Sequence, residues 1–189
     1  MTTQGSIDPH GSRRWIPAAA TLLFGAAVGA AVFAIGRNVT PDYSAGLFGS
    51  HFTDAVQLKA QLGTVLLAMA LIQLALALWM YGHLPGAGRA PRRIRVVHRV
   101  IGALLFLLSV PIAVHCIQTY GVELSPARAL VHSLAGCFFY GAFAAKVLVV
   151  QSRRLPGWLL PLLGGILVAA VAVSWYAAAL WYFDGNALP

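Results

Sequence analysis

Five long apolar runs, separated by short polar stretches, constrain this chain more than any other feature. They lie at Trp15–Gly36, Ala60–Tyr81, Val97–Gln118, Arg128–Val150 and Trp158–Phe183. A helix needs about 20 predominantly apolar residues to cross a bilayer, and each run is long enough. In hydrocarbon only helices and closed barrels satisfy their own backbone polar groups, and these runs are too long and too unalternating for barrel strands. The expected fold is an all-α integral membrane bundle of five transmembrane helices. Composition agrees: 59% of the 189 residues are hydrophobic and 10% are charged, with a mean hydropathy of +0.77.

The basic residues orient the bundle. With the N-terminus inside, the cytoplasmic segments hold Arg13, Arg14, Arg89, Arg92, Arg93, Arg95, Arg99, Arg153 and Arg154, and the opposite face keeps Arg37, Lys59 and Arg128. That asymmetry is the positive-inside pattern. The acids run the other way, with Asp42, Asp54, Glu123 and Asp184 outside and Asp8 inside. The formal charge of +8 therefore reads as a topogenic signal and a contact for anionic lipid, and it calls for no nucleic acid. The C-terminus falls outside, after a belt of Trp175, Tyr176, Trp181, Tyr182 and Phe183. The expected location is the inner (plasma) membrane, crossed several times. Residues 1–12 read as a disordered cytoplasmic tail and residues 13–189 as a single five-helix domain. SRRWIP resembles a twin-arginine export signal, but the apolar run after it is long for a signal sequence, so the first helix is expected to be retained.

Packing signals lie along the runs. Gly25 and Gly29 form a GxxxG step suited to close helix contact, and Gly164–Gly165 suits it too. Pro111 is expected to kink helix 3. Gln73, midway along helix 2, is expected to hydrogen-bond to another helix. Ser50 or Thr53 is a candidate N-cap for helix 2, with Asp54 favourable in its first turn. The short TYGVELSPA turn makes helices 3 and 4 expected neighbours. Cys116 and Cys137 fall at different depths and are expected to be free thiols.

The candidate chemistry rests on histidines inside the apolar runs. Such residues are rare in lipid and face the bundle interior, so a site is the default hypothesis. Helix 3 runs outward and helix 4 inward, which brings His115 and His132 to nearly the same outer depth. Two imidazoles at matched depth on different helices are what bis-histidine haem ligation requires. Gly136, one turn from His132, would leave room for a macrocycle, and Arg128, one turn the other way, would pair a propionate. His98 lies about 25 Å from His115 along helix 3, so an inner site would form with Lys146 instead. Lys146 has a simpler reading as a side chain reaching for the cytoplasmic headgroups. The outer histidines likewise have a simpler reading as helix-packing hydrogen-bond donors. A copper or zinc site that recruits His51 or Cys116 is a further alternative.

Local resemblances point the same way. HSLAG at His132–Gly136 is similar to a step in the ascorbate- and ferric-reducing di-haem family. HRVIG at His98–Gly102 resembles the quinone-side motif of succinate dehydrogenase membrane anchors. Both imply a b-type transmembrane cytochrome that exchanges electrons with quinone or an extracytoplasmic redox protein. Over residues 51–183, including HSLAGCFFYGAFAAK and SRRLPGW, the chain resembles an uncharacterised family of small bacterial membrane proteins, which implies no activity. The expected function is membrane electron transfer with one outer haem b on His115 and His132. The alternative is a non-redox scaffold or assembly subunit with structural histidines. The chain lacks paired acids, Ser-His-Asp sets and phosphate loops, which leaves little room for hydrolase or nucleotide chemistry.

Overall fold

The computed structural model describes residues 9–152 and 155–185. Its helices are α1 Pro9–Arg37, α2 Phe52–Met80, α3 Arg92–Tyr120, α4 Ala127–Gln151 and α5 Leu159–Trp175. A five-residue π-helical segment, Tyr176–Leu180, and a short α6, Trp181–Phe183, continue α5. Among the described residues, five helical stretches are long and apolar enough to cross a membrane. Helix α1 starts earlier than expected. Residues 9–12, read as part of a disordered tail, are helical, while residues 1–8, Arg153 and Arg154 lie outside the described residues.

The helix ends follow local chemistry. Pro91 and Pro126 precede α3 and α4 in extended conformations, as a residue without an N–H suits a helix start. Gly121 ends α3 at φ +70°, a left-handed conformation that glycine adopts without steric cost. The N-cap position of α2 is His51, which makes no side-chain cap, so neither Ser50 nor Thr53 fills that role. Asp54 does sit in the first turn. Pro111 lies within α3, which continues as one helix past it.

The antiparallel helices give the bundle two ends. The long-loop end carries residues 38–51, the turn 121–126 and the π segment. The arginine-rich end carries Arg89–Arg99 and the connection into α5. Helix α1 packs on α4, α4 on α5, α5 on α2, and α2 on α3. Helices α3 and α4, expected as neighbours, approach mainly through large side chains. Phe106 stacks on Phe143 at 4.0 Å between centroids, and Ser109 Oγ lies 3.2 Å from Tyr140 Oη. The core joins Leu66 and Ala70, Leu105, Phe139 and Ala142, and Leu159, Leu163 and Leu167.

Helices α1 and α4 approach each other closely through their backbones. A Cβ on Gly25 would lie 2.7 Å from the Gly141 carbonyl oxygen, and one on Gly29 would lie 3.1 Å from that of Cys137. The GxxxG step therefore does bring helices together, and its partner is Gly141. Outward-facing positions such as Leu23, Leu107 and Phe138 are apolar and exposed. Small residues thus line the α1–α4 contact, while many bulky apolar side chains face outward.

Candidate functional site

The long-loop end gathers most of the polar residues singled out by sequence. His115, in the last turns of α3, is 3% exposed. Its Nε2 lies 3.0 Å from the Ala45 carbonyl oxygen, which can only accept, so Nε2 carries the proton. The Thr119 hydroxyl, one turn on, lies 3.3 Å from Nδ1 and donates to it. Both ring nitrogens are thus engaged, and the ring anchors the 38–51 loop to α3. Three further bonds reinforce the anchorage. The Asp42 N–H donates to the Gln118 carbonyl at 2.9 Å, the Val122 N–H to the Gly36 carbonyl at 3.0 Å, and Arg37 Nη1 to the Val122 carbonyl at 3.1 Å. Within the loop, His51 Nδ1 donates to the Ser44 carbonyl at 3.1 Å. The Ser44 N–H and hydroxyl donate to the Asp42 carboxylate and hold its pKa below the ordinary 3.8.

His132 faces a different element. Its Nδ1 donates to the Ser174 carbonyl at 3.2 Å, where α5 passes into the π segment. Arg128, one turn earlier on α4, donates from Nη1 to the Ala177 carbonyl at 2.8 Å. Its guanidinium also lies 3.8 Å from the Trp181 ring centroid. Helix α4 thus supplies donors to one carbonyl in the π segment, Ala177, and one just before it, Ser174. Beside them Lys59 caps the Tyr120 ring at 4.4 Å. A Cβ on Gly136 would meet nothing within 4 Å. His115 and His132 are each bonded to separate partners, His115 to Ala45 and Thr119 and His132 to Ser174.

The arginine-rich end holds a second group. Gln73 Nε2 donates to the His98 carbonyl at 2.7 Å, the interhelical bond expected of it. A cavity of about 60 Å³ opens between α2, α3, α4 and α5, lined by Gln73, Gly102, Phe139, Phe143, Lys146 and Gly164 among others. A Cβ on Gly164 would lie 4.0 Å from Lys146 Nζ, so the ammonium is turned toward α5. His98 Nδ1 is buried without a hydrogen-bond partner. The structure thus brings His98 and Lys146 to one end of the bundle with Gln73.

Among the described residues, no group of three or more His, Cys, Asp or Glu side chains is placed to hold a metal ion. Cys116 and Cys137 are free thiols. Sequence reasoning missed the π segment, the Ala45 carbonyl and the part played by Lys59. Only Thr119 carried a readable signal, since it lies four residues from His115 on the same helix face.

What the fold defines is a class, an all-helical bundle whose five long helices are each apolar enough to cross a membrane. Within it, the chain belongs to a family of unknown function, DUF6529, which matches residues 18–189. No curated protein and no solved structure matches the chain.

Proposed function

We propose that the protein is a multi-pass subunit of the inner (plasma) membrane, of the non-redox scaffold or assembly class. Its arginine-rich end faces the cytoplasm, and its long-loop end is a braced extracytoplasmic cap. The observation that carries this reading is the full engagement of His115 by Ala45 and Thr119. An imidazole that donates from Nε2 and accepts at Nδ1 has no lone pair left for a metal. The bonds of His132 to the end of α5 and of Arg128 to the π segment extend the bracing from α4 to α5. Polar bonds of this kind between transmembrane helices contribute about 1 kcal/mol each, and several together fix the shape of a surface that other subunits dock on.

One observation favours a second reading, a b-type cytochrome that exchanges electrons with quinone or an extracytoplasmic redox protein. The Nδ1 bond of His132 to Ser174 leaves Nε2 unprotonated, and metal-bound histidines characteristically donate their other N–H to such a carbonyl. Open space at Gly136 and the Arg128 guanidinium are consistent with a haem ligated by His132. His115, by contrast, does not fit the second axial position as it stands, because it would have to release Ala45.

An optical spectrum of protein purified from haem-replete cells, oxidised and then dithionite-reduced, separates the two. The scaffold reading expects no Soret band. A Soret band that shifts on reduction and is lost in His132→Ala, but kept in His83→Ala, would overturn it.

A further inference from the structure

We propose that the cavity at the arginine-rich end is a binding site for one small monovalent anion, of the size of chloride or nitrate, with Lys146 as its charge partner. Lys146 lies five residues from the end of α4 and Gly164 five residues from the start of α5. Both are therefore about 7.5 Å inside the bundle end. The ammonium points across to Gly164 at its own depth and does not climb toward the headgroups. An ammonium in such a place needs a counter-charge. Among the described residues no carboxylate lies within ion-pair distance of it. The fold explains why: Asp42, Asp54, Glu123 and Asp184 all sit at the opposite end of the bundle. A bound anion supplies the missing charge.

The rest of the lining suits such a guest. Gln73 presents an amide NH₂ that uses one N–H on the His98 carbonyl. Gly102 and Gly164 bring no side chain into the space, while Phe139 and Phe143 wall it. A volume of about 60 Å³ takes a halide or a few waters, since about 10–15 Å³ of cavity volume on this measure holds one water. It is too small for a macrocycle or a lipid headgroup. The site does not depend on whether haem binds at the other end.

The test is equilibrium binding of radiolabelled chloride to the full chain in zwitterionic nanodiscs. Saturable binding of one chloride per chain is expected, displaced by nitrate and not by gluconate, which is too large. Lys146→Met should weaken binding at least about tenfold, in line with loss of a charged hydrogen bond. Gly164→Ala places a methyl against the ammonium without touching backbone and should weaken binding too, whereas Gly165→Ala, which adds a methyl in open space, should not. Gly164→Ala also keeps the test decisive if Lys146→Met fails to fold. Absence of saturable chloride binding, or wild-type affinity in Gly164→Ala, would overturn the proposal.

Discussion

Replacing Gly141 by alanine is the sharpest probe of how this bundle is held together. A Cβ at that position would lie 2.6 Å from the Gly25 carbonyl oxygen and 3.4 Å from the Gly29 nitrogen. Ordinary carbon–oxygen contact is about 3.3 Å, so α1 must retreat by roughly 0.7 Å. Both opposing atoms are backbone, so no rotamer change relieves the clash. The retreat loosens the contact along the whole GxxxG step, because Gly29 meets the same stretch of α4 at Cys137. Overpacking of this kind costs about 1–3 kcal/mol, and alanine recovers up to about 1 kcal/mol through its better helix propensity. A net loss of about 1–2 kcal/mol is expected in SDS- or urea-induced unfolding of detergent-solubilised protein, followed by far-UV circular dichroism. Gly25→Ala should cost a similar amount, and the double variant less than the sum, since both press on one contact. Gly63→Ala is the control, because its methyl would meet only Ala179 at 3.7 Å. The reasoning fails if Gly141→Ala is as stable as the wild type.

Two further outcomes test the long-loop end. His115→Ala removes the loop anchor and should raise amide hydrogen exchange across residues 42–47 while leaving the centre of α4 unchanged; equal protection in the variant would remove His115 as the anchor. Arg128→Ala strips the Ala177 carbonyl and the Trp181 ring of their partner. It should lower stability by about 1.5–3 kcal/mol, the range for a hydrogen bond to a charged group, and change the tryptophan emission. An unaltered spectrum would place the guanidinium elsewhere.

Much of the architecture was legible because its causes are local. Helix existence follows from apolar length, and the five expected runs all lie within or overlap the observed helices. Gln73 was legible as an interhelical donor because a lone amide in an apolar run has few other uses. His115 and His132 were legible as inward-facing polar groups. Their partners were not, for both rings bond to backbone carbonyls, and a carbonyl leaves no trace in residue identity.

The sequence by itself determined a five-helix, all-α bundle with the Arg89–Arg99 cluster at one end and its described acids at the other, because hydropathy and charge act residue by residue. Only the tertiary structure decided which helices pair. A short turn suggested α3 beside α4, yet glycine-to-glycine fit put α1 against α4 and left α3 to reach α4 through aromatic rings. The π segment was likewise decided in three dimensions, and α4 donates to carbonyls in and just before it, at Ala177 and Ser174. The same pairing set Lys146 facing α5 at the end of the bundle farthest from Asp42, Asp54, Glu123 and Asp184, a separation that no single stretch of sequence reveals.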